Sequence, residues 1–232
     1  MEYLHNGFTI EICEGGFPIS TDSVALAGFV RLPRQAKVLD LGSGCGTLGI
    51  LLCAEHPDCQ ITGIELDPAA HKTAQENIKH NQLEHRLNSI CGDLRQLADH
   101  ITPGSMHCCI SNPPYFSGGP ASKQTPIARQ DDHCNTDELF AAAGKALRYG
   151  GDFFLVHKPE KLAQLCACAV KHGMEPKRLQ LLRHQEGGPV SLVLLSCRKG
   201  GKPGLLWDDV SLNDRNGAPT PYYQTLYHSQ EV

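Results

Sequence analysis

Lys37-Val38-Leu39-Asp40-Leu41-Gly42-Ser43-Gly44-Cys45-Gly46 is an apolar run that breaks into three glycines at alternate positions. A run this short, rich in Val and Leu and bounded by glycine, reads as a strand buried on both faces. Leu48 to Ala54 is apolar again and opens a helix. Strand, glycine turn and helix in that order make the first unit of an open α/β sheet, and glycines let a ligand approach the main chain closely. The helix start behind them offers N–H groups that have no partner inside the helix. The spacing is G-x-G-x-G. That is neither the G-x-G-x-x-G of dinucleotide sites nor a phosphate loop, because no Gly-Lys-Ser/Thr follows.

The alternation continues outward from this unit. Gln60–Leu66 predicts a second strand. Asp67-Pro68 is a helix start with proline in the first turn, and that helix runs from about Ala69 to Asn81. Leu87–Cys91 and Met106–Ile110 are a third and a fourth strand, and Thr136 or Asp137 can cap a helix through Leu147. Gly150-Gly151 breaks the chain before a fifth strand, Asp152–His157, and Pro159 starts a helix to about His172. Arg178–Leu182 and Ser191–Cys197, joined through Gly187-Gly188-Pro189, predict an antiparallel hairpin at one sheet edge. The fold class is therefore α/β, a mainly parallel sheet with helices on both faces. No repeat, low-complexity tract or linker divides the chain. Residues 1–200 read as one domain, with 1–36 as a lead-in, and the Gly/Pro-rich residues 201–232 as an extended tail. The polar stretch 114–134 has the length of a functional loop.

In an open α/β sheet, ligands sit beyond the carboxyl ends of the strands, and three further groups fall at such ends. Glu65 closes the second strand about twenty residues past the glycine loop, where a carboxylate can accept from two ribose hydroxyls. Asp93, after Cys91-Gly92, is placed to hold an adenine amino group. Asn112-Pro113-Pro114-Tyr115 follows the fourth strand. The Asn112 side-chain oxygen and the Pro113 carbonyl can both accept from an –NH2 group. The prolines lack N–H and hold φ at about −65°, which stiffens the turn. The Tyr115 ring can stack on a base. Alone, each acid is an ordinary helix cap or surface charge and the prolines an ordinary turn; together, in strand order, they converge on one site.

Of the 232 residues, 41% are hydrophobic and 20% charged, which fits a soluble globular protein with a full core. No apolar run approaches the roughly 20 residues that span a bilayer. Met1 to Gly7 lacks the basic start and apolar stretch of a secretion signal, so a cytoplasmic location is expected. The eleven cysteines contain no Cys-x-x-Cys and no Cys/His zinc spacing. They are expected to be reduced, structural thiols, with no metal bound. The net charge of −4 conceals a split: residues 145–202 hold 11 Lys/Arg against 4 Asp/Glu, and residues 1–144 hold 9 against 17. A one-sided basic segment is the footprint of a phosphate-backbone partner, or else a set of solvated helix and loop faces.

Asp40–Gly46, Glu65, Asp93 and Asn112–Tyr115 resemble the ordered motifs of Rossmann-like S-adenosylmethionine-dependent methyltransferases. The Asn-Pro-Pro-Tyr tetrapeptide resembles that of members that modify exocyclic amino nitrogens. The similarity covers about residues 37–198 and implies seven strands, the last one antiparallel. Phe17-Pro18-Ile19-Ser20-Thr21-Asp22, Ile127-Ala128-Arg129 and His157-Lys158-Pro159-Glu160-Lys161-Leu162 resemble more closely the bacterial tRNA(Val) adenine-N6 methyltransferase family, which modifies the adenine 3′ to the anticodon. Gln130-Asp131 stands where that family usually has His-Glu, Lys158 and Lys161 stand where Arg is frequent, and the chain beyond Gly200 does not align.

The resemblance implies S-adenosylmethionine as cofactor, released as S-adenosylhomocysteine. Its expected contacts are Thr21, Asp22, Asp40, Gly42, Gly44, Gly46, Glu65, Leu66, Asp93, Leu94 and Asn112. It implies catalysis by Asn112, Pro113 and Tyr115 through positioning, with no side-chain base and no metal. Pro114, Tyr115, Phe116, Arg129, Lys158 and Lys161 are the expected substrate contacts, tRNA the expected partner, and a monomer away from membranes the expected state. Other substrates stay open. A release-factor glutamine suits the same tetrapeptide, although those enzymes carry a helical domain where only 36 residues precede the first strand here. Ribosomal RNA amino groups fit too, whereas a DNA methyltransferase usually needs a large recognition insert that is not visible. A non-catalytic cofactor-binding scaffold would have no need of an intact Asn112 tetrapeptide.

Overall fold

The computed structural model describes residues 2–4, 7–16, 19–114 and 136–228. In chain order the elements are β1 (Glu2–Tyr3), β2 (Thr9–Ile10), α1 (Thr21–Phe29), β3 (Lys37–Leu41), α2 (Thr47–Glu55), β4 (Gln60–Glu65), α3 (Pro68–His80), β5 (Leu87–Cys91), β6 (Met106–Ser111), α4 (Thr136–Ala146), β7 (Leu147–His157), α5 (Leu162–Lys171), β8 (Met174–Gln185), β9 (Val190–Lys199), β10 (Leu206–Asn213) and α6 (Pro221–His228). Short 3-10 turns cover Leu94–Asp99 and Pro159–Lys161. The main sheet runs β10-β8-β9-β7-β6-β3-β4-β5, and β1 with β2 forms a separate two-stranded ribbon.

The strand pattern follows from burial. Val38, Leu39 and Leu41 of β3 are at most 1% exposed, as a central parallel strand covered on both faces requires. One apolar core lies under α1 and α2, around Leu26, Phe29, Ile50 and Phe154. The other lies under α4 and α5, around Phe140, Phe153, Leu155 and Leu165. Neighbouring residues of a strand point to opposite faces, so Phe153 meets Phe140 edge-on in one core while Phe154 meets Phe29 edge-on in the other.

Several expectations are corrected. The sheet has eight strands, not seven. Residues 206–213, expected as part of an extended tail, form β10, which pairs in parallel with β8 from Leu206↔Arg178 to Asn213↔Gln185. β10 takes the edge, so the antiparallel β8–β9 hairpin lies inside the sheet, with β9 between β7 and β8. α6 follows, and Tyr222, Tyr223 and Leu226 pack against the core beside α1. Gly150-Gly151 does not break the chain: β7 runs through it with a register shift opposite Met106–Cys108. A Cβ at Gly151 would lie 2.8 Å from the His107 carbonyl oxygen, so glycine permits the irregularity. Among the described residues no helix is long and apolar enough to cross a membrane.

Candidate active site

The carboxyl ends of β3, β4, β6 and β7 open on one edge of the sheet. At the end of β3, the Ile64 carbonyl accepts from the Gly42 and Ser43 N–H groups at 3.0 and 3.1 Å. The Ser43 carbonyl accepts from Gly46 N–H, closing the turn. Gly46, with φ +84°, starts α2 in the left-handed region that glycine enters without strain. Space above Gly42 and Gly44 is open, since a Cβ built on either meets nothing within 4 Å. The loop thus presents bare main chain to the site.

Glu65 ends β4 and grips this loop. One carboxylate oxygen accepts from Gly44 N–H at 2.7 Å and the other from Asp67 N–H at 2.9 Å. Each oxygen has a second lone pair, which suits a hydroxyl donor. Asp40 is 2% exposed, and its Oδ2 has no partner among the described residues. Burial pushes its carboxyl up to about 8, and the Glu65 charge adds to the rise. The Ser43 hydroxyl is buried and also without a partner. Leu66 is exposed and Leu94 half-buried. Asp93 is engaged by the chain that follows it. It caps the 3-10 turn through Arg95 N–H at 2.8 Å, and its carboxylate takes the Arg95 guanidinium in a fork, with a closest contact of 2.6 Å.

Asn112, at the end of β6, is brought against α1. Its Nδ2 donates to the buried Ser23 Oγ at 3.0 Å. Ser111, just before it, is fully buried and donates to the Leu41 carbonyl at 2.8 Å, which ties β6 to the glycine loop's own strand. Thr21 and Asp22 form the first turn of α1, and Thr21 Oγ1 accepts from Tyr227 Oη at 3.3 Å. Pro113 is half-buried and Pro114 exposed. Tyr115, Phe116, Arg129 and most of the 114–134 loop lie outside the described residues.

The basic segment is partly engaged by other parts of the fold. Lys171 pairs with Asp137, Arg183 with Asp209 and Arg198 with Asp152. Lys199 donates to the carbonyls of Gly144 and Leu147, and Arg178 lies over the Phe29 ring. Lys158 and Lys161 differ from these by standing at the carboxyl end of β7, on the edge where Asn112 lies. Lys158 is exposed, and Lys161 donates to Gln164 at 3.3 Å. Beside them His157 is buried, its Nδ1 accepts from Lys158 N–H, and burial, then Lys161, holds it below the usual histidine range.

Sequence reasoning missed a strap over the glycine loop. Asn81 Oδ1 accepts from Thr9 N–H and its Nδ2 donates to Thr9 O. Asn77 does the same with Glu11 and also donates to the Cys45 carbonyl. Two asparagines at i and i+4 thus bind the N-terminal segment as a neighbouring strand would. The signal was present: asparagine is a poor helix former, and two of them one turn apart mark side chains with other partners. Cys13 on the strap meets Cys45 on the loop, sulfur to sulfur at 3.4 Å. The ten described cysteines are free thiols, and burial raises several, Cys45 and Cys108 to about 12. No group of three His, Cys, Asp or Glu among the described residues is arranged to hold a metal ion.

A parallel sheet with one antiparallel strand inserted, a glycine loop at β3 and an acid at β4 define a class I methyltransferase. Residues 21–166 match the methyltransferase small domain family, and the chain belongs to it. It is 32% identical, over 78% of its own length and 77% of the other's, to a protein of Photobacterium profundum named tRNA1(Val) (adenine(37)-N6)-methyltransferase. Its fold is similar to that of a crystal structure described as a predicted O-methyltransferase from Agrobacterium tumefaciens, with a TM-score of 0.76 at 18% identity over 90% of this chain and 97% of that one. It is also similar to geranyl diphosphate C-methyltransferase from Streptomyces coelicolor in complex with S-adenosylhomocysteine, with a TM-score of 0.57 at 10% identity over 75% and 78%. The protein is a S-adenosylmethionine-dependent N-methyltransferase. The residues present fit that cofactor. The unpartnered Asp40 Oδ2 can take its amino group, Glu65 its ribose hydroxyls, and the open face of Gly42–Gly44 its close approach.

Proposed function

We propose that this enzyme methylates the exocyclic N6 of an adenine in tRNA, the adenine 3′ to the anticodon of tRNA(Val), in the cytoplasm. The observation that supports it best is the placement of Asn112: β6 and β3 are neighbours, so Asn112 stands beside the glycine loop with its amide nitrogen already held by Ser23. S-Adenosylmethionine supplies a methyl group on a sulfonium sulfur, activated for displacement. Asn112 Oδ1 and the Pro113 carbonyl accept the two N–H bonds of N6 and turn its lone pair toward that methyl. The residues act by positioning and by matching developing charge, so no side-chain base is required; the amino proton becomes acidic once nitrogen has gained the methyl. The target base leaves its stack to enter the site. Tyr115 is the stacking partner, Phe116 a second wall, and Pro114 stiffens the turn just before them. Arg129, Lys158 and Lys161 contact the RNA. The Photobacterium relative's name supports this substrate, as does the His157–Leu162 motif.

The test is transfer of labelled methyl from S-adenosylmethionine to an unmodified valine tRNA transcript, followed by nucleoside analysis. N6-Methyladenosine at one position is expected. Label on ribosomal RNA alone, or on a peptide glutamine, would replace the substrate. Asn112→Ala is expected to lower turnover at least about 1,000-fold while cofactor affinity stays within about threefold.

A further inference from the structure

We infer that Ser23 is a positioning residue for the Asn112 amide: its hydroxyl, carried by the first turn of α1, holds that side chain in place beside the incoming amine. This rests on the role proposed above for Asn112. Asn112 Nδ2 donates to Ser23 Oγ at 3.0 Å across 89 residues of chain. Ser23 is 8% exposed, so water does not compete freely for its hydroxyl. The terminal torsion of asparagine is broad, so the bond from Nδ2 to Ser23 narrows its range and holds the side chain against α1. With nitrogen anchored to α1, the amide oxygen points to the opposite side of the plane. The reversed amide would aim two N–H donors at an amine that brings donors of its own, and the acceptor for N6 would be lost.

α1 is itself fixed from the far end of the chain. Leu226 of α6 lies over Gly28, where a Cβ would come within 2.7 Å of its methyl group. Tyr227 Oη donates to Thr21 Oγ1 on the turn that carries Ser23. Ser20, which precedes the helix, makes no side-chain cap bond. The start of α1 is therefore braced by α6 and by Asn112, not by its own cap.

Ser23→Ala tests the assignment, with labelled methyl transfer to the valine tRNA transcript as readout. Turnover is expected to fall about 10-fold, while cofactor Kd and the KM for RNA stay within about twofold. Ser23→Thr, which keeps the hydroxyl, should recover most of the rate. Ser23→Cys keeps the volume but offers only a weak acceptor, and should resemble the alanine variant. A readout that needs no RNA is hydrogen exchange at the Asn112 side-chain amide, which should be faster in Ser23→Ala than in the parent protein. Full turnover in Ser23→Ala beside an inactive Asn112→Ala would overturn the inference alone. Full turnover in Asn112→Ala would overturn the proposed role of Asn112 and this inference with it. Unchanged exchange at Asn112, or loss of cofactor affinity together with turnover and no recovery in Ser23→Thr, would make Ser23 a merely structural residue.

Discussion

The glycine loop behind β3 and the Asn112 turn behind β6 lie at neighbouring strand ends, yet the chain holds them differently. Gly42, Ser43, Gly44 and Gly46 are all fixed by Ser43, Ile64 or Glu65, within one β-α-β unit. The hydrogen bond that ties Asn112 to α1 comes from 89 residues away, and α1 leans in turn on α6 near the other terminus. The main chain of the cofactor half is thus held mostly by β3, α2 and β4, with Asn77 and the N-terminal strap reaching it at Cys45. The amine half needs distant parts of the chain in place. Damage to the first is expected to appear as lost cofactor affinity, and damage to the second as lost turnover at near-normal affinity.

Gly46→Val strikes the first half hardest. Gly46 sits at φ +84° as the N-cap of α2, and a left-handed backbone costs a branched residue roughly 1–2 kcal/mol or more. Relaxing that strain would turn the Gly44 and Gly46 N–H groups away from their partners. Cofactor affinity, measured by calorimetry, is expected to fall at least about 100-fold, an effect of roughly 2.7 kcal/mol. Unchanged affinity would mean that the loop does not bind by its main chain. Deleting the chain from Pro221 onward strikes the second half. It removes Tyr222, Tyr223 and Leu226 from the core and frees the start of α1. Turnover is expected to fall about 10-fold, with cofactor affinity within about threefold; an equal loss of both would erase the distinction between the halves.

The same contrast explains what could be read in advance. β3 and β4 are short and largely buried, so each announces itself as an apolar run, and Glu65 falls at the strand end where it was expected. β10 gave no such signal. Leu206, Trp207, Asp208 and Asp209 are all exposed, because an edge strand draws its pairing from the main chain of β8 and little from its side chains. α1 reads Thr-Asp-Ser-Val-Ala-Leu-Ala-Gly-Phe, apolar on most sides, without the stripe that marks a surface helix. The basic segment shows another limit: charges can be counted along a chain, but Asp137, Asp209 and Asp152 meet Lys171, Arg183 and Arg198 only in the fold. At Asp93 the sequence offers two roles for one carboxylate at one strand end, and the fold shows the cap on Arg95 N–H.

Asp40 sharpens the account of the first half through pH. Its carboxyl is raised to about 8 in the folded protein, against about 3.9 in an unfolded chain. Between those values the folded state holds a proton that the unfolded state has lost. Its contribution to stability is therefore full at acid pH and falls as pH rises from about 4 to about 8, by at most roughly 1.4 kcal/mol per pH unit. Asp40→Asn keeps the shape and removes the titration. Urea unfolding of the cofactor-free protein at pH 5, 6, 7 and 8 should then show a flatter pH dependence than the parent. An equally steep fall in the variant would place the bound proton elsewhere.

The smallest effect expected separates the two lysines at the carboxyl end of β7 from Lys171 on α5. Lys171 ends α5 and its ammonium is held by Asp137, so it contributes little net field toward an RNA backbone. Lys158 and Lys161 stand at the carboxyl end of β7, on the edge that bears Asn112. Each lysine that neutralises a phosphate adds close to 1 to the slope of log affinity against log salt. Replacing Lys158 and Lys161 together by alanine is expected to reduce that slope by about 1.5–2, whereas Lys171→Ala should change it by less than about 0.5. Filter binding of the valine tRNA transcript between 50 and 200 mM salt resolves the two, both values being about the usual range for such titrations. A slope that falls as far with Lys171 as with the β7 pair would show that the RNA crosses α5, and that the Asp137 pair opens to receive it.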